Sequence, residues 1–383
     1  MPWAHTTINP DGKLLPCSEI SRDFSTQHIN TVKDFDQDWW NGKPMQQLRQ
    51  DLAQGIKPKH CDSCWKNEAA GKSSLRQEFN KRLAKHTKLR NIAKSNTYVA
   101  EDLPIALDLN LSNICNFKCM MCGPTFSNQL QTERKQHHFK FKELTFLPIE
   151  SEFNFDWPNQ DPFRTLLKTV TPKIKILELR GGEPLLIENV KLAIKSVEDK
   201  KNSIINITTN GSVEFDDDFV AQLTQFQHIW LFVSVDGIEE HGEYVRYGSQ
   251  WSMVDSTISK LSKLSNCTFR ICTVLQFYSA LTFPRIADYV IDRNLDMDIR
   301  FCYEPNFLSI HSMLPKHHGE FLQFINEKTQ QYPHIPWLKT VQGYLNSYVF
   351  DPVAHEQCQK YTALLDSIRH NEFAGIQELF HDA

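Results

Sequence analysis

Three cysteines, Cys115, Cys119 and Cys122, fall within the stretch "NICNFKCMMCGP". A structural zinc site closes its tetrahedron with four ligands, often as two separated cysteine pairs. Here a C-x3-C-x2-C triplet stands in one loop, and the nearest downstream histidines, His137 and His138, follow a helix-like segment. Three thiolates alone suit an iron–sulfur cluster with one iron left open to a substrate or cofactor. A second group, Cys17, Cys61 and Cys64, lies in the first hundred residues and includes a C-x2-C pair. The other four of the ten cysteines, Cys267, Cys272, Cys302 and Cys358, are scattered. Cys272 and Cys302 sit in apolar strand-like runs and read as buried thiols.

Composition frames these clusters. The chain has 383 residues and a formal net charge of −4, which offers no bulk attraction to nucleic acid or acidic lipid. The first residues, "MPWAHTTINPDGK", lack a charged segment followed by an apolar one, so no signal peptide is expected. The longest apolar run, around "IWLFVSV", is too short to span a bilayer. A soluble cytoplasmic protein is the expectation, with no membrane or nucleic-acid partner. In a reducing compartment clustered cysteines hold metal or do chemistry more often than they form disulfides.

The elements that must position the thiols follow a rhythm after about residue 100. Strand candidates are 105–112, 173–181, 203–211, 228–237, 267–276 and 297–305. Between them "PLLIENVKLAIKSVEDK", "DDFVAQLTQF", "SMVDSTISKLSKL" and "FPRIADYVIDRN" space apolar residues three or four apart, as amphipathic helices do. Strand and helix repeated six times predict parallel strands with crossover helices, an α/β open or partial barrel. Such sheets carry their sites at the C-terminal strand ends. Those ends read "RGGEP", "TTNG", "SVDG", "LQFYS" and "YEPN", while the first strand runs into the cysteine loop.

With these pieces in register, the chain resembles the radical S-adenosylmethionine (SAM) superfamily over about residues 104–310. The cysteine loop follows the first strand, "GGEP" the second, and "SVDG" with Arg246 stands where family members contact the cofactor. The resemblance implies a partial (βα)6 barrel and a 4Fe–4S cluster on Cys115, Cys119 and Cys122, with SAM on the fourth iron. It implies cofactor contacts by Gly181, Gly182 and Glu183, by Ser234 and Asp236 at the ribose, and by Arg246 at a carboxylate. Thr209 and Asn210 are weaker candidates, since "TNG" also makes a turn. Met121 occupies the place of an aromatic residue that relatives often carry near the adenine. The implied chemistry is reductive cleavage of SAM to a 5′-deoxyadenosyl radical, which abstracts hydrogen from a substrate C–H bond. The electron would come from a low-potential donor such as flavodoxin or ferredoxin.

Gly12 and Cys17 form a G-x4-C pair, and with Cys61 and Cys64 they resemble the auxiliary-cluster modules called SPASM or twitch. A zinc knuckle or a metal-free subdomain is the plain alternative. The fourth ligand is missing. A start a few residues upstream, His5 or His60 as a ligand, a folded-back Cys358, or an open iron would each account for it.

The expected organisation is an N-terminal auxiliary-cluster region over 1–100, a barrel over 101–330 with an insertion at 135–163, and a helical C-terminal tail over 331–383. The insertion is read as a flap or a lid, and its Phe153, Phe155 and Trp157 as stacking groups or core. Glu304 and Gln276 at strand ends could face substrate. The expected activity is oxidation or modification of a peptide, natural product or sugar-type substrate. The alternative is an iron–sulfur redox sensor or binding protein without SAM turnover. Nothing in the chain selects the substrate or the net reaction.

Overall fold

The computed structural model describes residues 2–21, 24, 31–35, 39–69, 73–83, 98–147 and 155–381. The chain divides into two compact units. The first comprises Met1–Ile114, Phe153–Ile207 and Asp216–Trp230; the second comprises Cys115–Glu152, Thr208–Phe215 and Leu231–Ala383. The strands are β1 (His5–Ile8), β2 (Leu14–Leu15), β3 (Ala106–Asn110), β4 (Lys118–Cys119) and β5 (Ile176–Arg180). They continue with β6 (Ile204–Thr209), β7 (His228–Ser234), β8 (Arg246–Tyr247), β9 (Cys267–Leu275) and β10 (Asp296–Phe301). All six sequence-derived strands are present, so the α/β class is as expected.

In the first unit β1, β3, β5 and β6 run parallel in that order, and β2 pairs antiparallel with β1. Strand alternation sorts their residues. Leu107, Leu109, Leu177, Leu179, Ile205 and Ile207 are buried on one face. On the other face one row of directly paired residues reads Thr7, Asp108, Glu178 and Asn206. β1 and β2 were not foreseen. They are short and carry no alternating run, and β1 is fixed by pairing with β3, a hundred residues away.

In the second unit β9 and β10 pair in parallel, and β4 pairs antiparallel with β8, placing Cys119 opposite Arg246. The residues read as a tail form helices Pro336–Leu345, Pro352–Arg369 and Ala374–Glu378 and contribute to the core of this unit. Helix Pro352–Arg369 starts at Asp351, whose carboxylate accepts the Val353 and Ala354 N–H groups, and ends at His370 in the left-handed conformation. Cys358, Tyr361, Leu365 and Arg369 are buried at three- or four-residue spacing along it. Each large apolar side chain so buried contributes roughly 1.5–3 kcal/mol. Among the described residues no helix is long and apolar enough to cross a membrane.

Of the insertion, residues 148–154, including Phe153, lie outside the described residues. Trp157 is core in the first unit. Its indole N–H donates to the Pro10 carbonyl at 2.8 Å, and its ring meets Phe163 edge-on at 5.3 Å.

Candidate functional site

In the second unit the cysteine loop is held from several sides. β4 carries Lys118 and Cys119, and the Met120 N–H donates to the Val245 carbonyl at 2.9 Å. The Cys115 N–H donates to Asn128 Oδ1 at 3.0 Å. Ser127 caps the following helix, Asn128–Gln136, and its hydroxyl donates to the Phe117 carbonyl at 2.7 Å. The C-terminal helix adds two ties. Tyr361 donates to the Met120 carbonyl at 3.1 Å, and Arg369 makes a buried two-point ion pair with Glu133 at 3.1 and 2.8 Å. Lys118 Nζ joins the same carboxylate at 2.7 Å.

Donors surround the sulfurs. The Phe117 N–H is 3.5 Å from Cys115 Sγ, and Arg246 Nη1 is 3.6 Å from Cys119 Sγ. Asn210 Nδ2 lies 4.0 Å from Cys115 Sγ and donates to Asn116 Oδ1 at 2.9 Å. Burial pushes the Cys119 thiol up to about 11, against the pull of Arg246. Burial and the other two thiols push Cys122 up to about 12. Burial works against the Arg246 charge, and the Cys119, Asp236 and Cys115 anions outweigh it. Cys119 and Cys122, raised by burial and by neighbouring thiols, are poor free thiolates and good ligands, because a bound cation removes both penalties.

The expected cofactor residues of this unit are placed as follows. Asp236 is buried; its Oδ1 accepts the Val274 N–H at 2.8 Å and its Oδ2 lies 3.2 Å from Arg246 Nε. Burial raises its pKa, while Arg246 pulls it down. Both carboxylate oxygens therefore serve to hold Arg246 and β9. Arg246 in turn is directed at Cys119. Ser234 and Arg246 line one small cavity with Phe117, Gly237, Glu243 and Trp251. Thr209 accepts the Gly211 N–H at 3.1 Å, and Asn210 Oδ1 accepts the Ser212 N–H at 2.9 Å, so "TNG" makes the turn its residues favour. Met121 packs against the core of this unit. Gln276 and Cys302 are buried at their strand ends. Cys358 is fully buried within the same core.

In the first unit Gly181 and Gly182 have φ of +84° and +55°, and their reason is close packing. A Cβ on Gly182 would stand 2.3 Å from the Ile114 carbonyl oxygen, and one on Gly181 2.7 Å from Asn110 Cβ. The Glu183 N–H donates to the same Ile114 carbonyl at 2.7 Å, and its carboxylate accepts the Leu185 N–H at 3.2 Å. "GGE" thus grips the residue that precedes Cys115 in the chain.

The N-terminal cysteines also gather in this unit. Gly12 closes the β1–β2 hairpin with φ +78°, where a Cβ would stand 3.0 Å from the Trp157 ring. Cys17 follows β2; Cys61 ends the short 3-10 turn Lys59–Cys61 and Cys64 lies in helix Asp62–Ala69. The Ser21 N–H donates to the His60 carbonyl at 2.9 Å and joins the two segments. Burial pushes Cys61 up to about 11, with Cys64 adding to it, and raises Cys17 and Cys64 as well. The Glu19 N–H donates to the Cys17 sulfur and the Arg76 N–H to that of Cys64. Such bonds support cluster thiolates.

His5 is engaged elsewhere. Its Nδ1 is 3.0 Å from the Pro16 carbonyl and its Nε2 3.5 Å from Glu178 Oε2. His5, Asp108 and Glu178 are the one group among the described residues with three ligating atoms within 4.8 Å of one another. The His5 group itself is a closed ion network. Arg180 donates to Asp108 at 2.9 Å and to Glu178 at 3.0 Å, and Asn206 donates to Glu178 at 2.9 Å. Burial raises Asp108; burial also opposes the Glu178 charge, but Arg180 and His5 hold that carboxyl well below its usual range. Sequence reading missed this network, although one acid amid leucines in "ALDLN" and "ILELR" is its signal.

Residues 1–65 match the SPASM family, described as an iron–sulfur cluster-binding domain. The GTP 3',8-cyclase of Campylobacter jejuni subsp. doylei is 26% identical over 166 residues, 43% of this chain and 44% of that one. The GTP 3',8-cyclase of Aliarcobacter butzleri is 29% identical over 27% of each chain. Each match spans less than half of those relatives' length. The iron–sulfur description of the match over residues 1–65 agrees with the gathering of Cys17, Cys61 and Cys64 there. Among solved structures, native anSMEcpe with bound AdoMet is similar at 17% identity and TM-score 0.40, over 63% of this chain and 61% of that one. Streptococcus suis SuiB bound to S-adenosylmethionine is similar at 15% identity and TM-score 0.38, over 66% and 59%.

Proposed function

We propose that the protein uses SAM to activate an unreactive C–H bond, in the oxidation or modification of a peptide, natural product or sugar-type substrate. The observation that carries this reading is the three-thiol loop, its sulfurs met by Arg246 and backbone donors. Bound at Cys115, Cys119 and Cys122, a 4Fe–4S cluster with SAM supplies one-electron cleavage of the sulfonium and a 5′-deoxyadenosyl radical. Arg246 offsets the charge of Cys119 and is oriented by Asp236. Ser234 offers a hydroxyl for a ribose, with Thr209 and Asn210 beside the loop as a rigid turn. Met121 offers a thioether that packs on an adenine. Gly181, Gly182 and Glu183 hold the chain that leads into the loop. The N-terminal cysteines hold an auxiliary cluster, and a flavodoxin or ferredoxin supplies the electron. The relatives are GTP cyclases by name, so nucleotides belong in the substrate screen as well.

The test is anaerobic purification followed by SAM and dithionite. Formation of 5′-deoxyadenosine supports the reading. A reduced cluster without SAM cleavage would leave the redox-sensor alternative, and a colourless, zinc-loaded loop would overturn both.

A further inference from the structure

Cys17, Cys61 and Cys64 are the described cysteines of the first unit, and one carboxylate stands out beside them. Glu19 follows Cys17 by two residues, and its backbone N–H donates to the Cys17 sulfur. Its carboxylate accepts the Ser63 hydroxyl at 2.8 Å, and Ser63 lies inside the Cys61–Cys64 pair. The carboxylate is thus fastened between the two segments that carry the thiols, and its charge acts on both Cys17 and Cys64. The other carboxylate near Cys64, Glu68, is taken up by Arg76 in a two-point ion pair at 3.0 and 2.6 Å. His60, beside Cys61, faces the Ser21 hydroxyl at 3.3 Å.

Three ionisable thiols and a carboxylate drawn together repel one another once ionised, and partial burial makes that costly. A cationic centre reverses the sign, turning four mutually repelling groups into four donors. Oxygen ligation at one iron is chemically sound, because carboxylates are ordinary ligands of iron.

We propose that Glu19 ligates the fourth iron of a cluster held by Cys17, Cys61 and Cys64. This rests on the reading of those cysteines as an iron–sulfur site. A carboxylate-bound iron is harder and more readily released than a thiolate-bound one, so this corner is the labile one.

The test uses full-length protein with Cys115, Cys119 and Cys122 replaced by alanine, so that only the N-terminal centre is seen. Iron content, EPR and Mössbauer spectra are recorded after anaerobic reconstitution and brief oxidation, for Glu19→Ala, Glu19→Cys and His60→Ala. The expected result is a four-iron centre with one distinct iron in the Glu19 protein. Glu19→Ala is expected to leave the three-iron form, and Glu19→Cys to restore four irons with a more uniform spectrum. His60→Ala is expected to leave the Glu19 spectrum unchanged. A four-iron centre with unaltered spectrum in Glu19→Ala overturns the ligand assignment. So does loss of the centre in both Glu19 variants, which would mark a role in folding. Absence of iron–sulfur signal in the protein that retains Glu19 overturns the cluster reading itself.

Discussion

The two cysteine trios hold the same number of thiols in opposite surroundings. Cys115, Cys119 and Cys122 come from one loop, and a buried arginine, Arg246, points at the middle thiol. Cys17, Cys61 and Cys64 come from two segments joined by the Glu19–Ser63 contact, with the Glu19 carboxylate acting on Cys17 and Cys64 and the Arg76 cation on Cys61. Net charge and hydrogen bonds to the sulfurs set the reduction potential of an iron–sulfur centre. On the proposed cluster reading, the Arg246 charge favours electron uptake at the loop, and the Glu19 charge opposes it at the N-terminal trio. The lesson is that ligand count does not define a metal site; the charges behind the ligands divide the roles.

The largest effect that would break the comparison is loss of a loop thiol. Cys119→Ala should lower 5′-deoxyadenosine formation to background while the N-terminal iron stays bound. Equal loss of iron at both trios would contradict it. Cys61→Ala should lower iron from about eight to about four per chain and leave SAM cleavage measurable. If that variant stops cleaving SAM altogether, the division of roles fails.

The next effects concern stability. Arg369→Ala leaves Glu133 buried without its two-point partner and should cost about 3–5 kcal/mol in denaturant unfolding, less whatever Lys118 retains. Gly182→Ala must place a Cβ 2.3 Å from a carbonyl at positive φ and should cost about 2–4 kcal/mol. A loss below about 1 kcal/mol in either variant would mean that its grip is not structural.

The smallest effect is one of pH. Burial opposes the Glu133 charge, yet Arg369 and Lys118 hold its pKa below the ordinary 4.5. Its stabilisation is therefore present above that value and is lost as pH falls through the depressed pKa. The stability gap between wild type and Arg369→Ala should narrow on acidification below about pH 4.5 and stay flat above it. A gap that widens in acid would exclude this pair as its source.

Much of the α/β framework was legible because apolar β-branched runs and three-to-four spacing are local signals. The cysteine loop was legible for the same reason, since its ligands are adjacent in the chain. Asp236 and Arg246 were read as cofactor contacts; their geometry couples them to each other and to Cys119. Glu133 and Arg369 were not legible at all, because they are 236 residues apart and carry no motif. The row Thr7, Asp108, Glu178 and Asn206 depended on strand register, which no single strand reveals. His5 offered itself as a cluster ligand until its strand placed it beside Glu178.

The amino-acid sequence alone brought three thiols into one loop, because spacing along the chain is a local property that limits which metal centre can form. Tertiary structure decided which charges stand behind each thiol. Arg246 reaches Cys119 through β4–β8 pairing, and Glu19 reaches Ser63 through the docking of two segments. Electrostatic roles depend on distance in space, and only folding sets that distance.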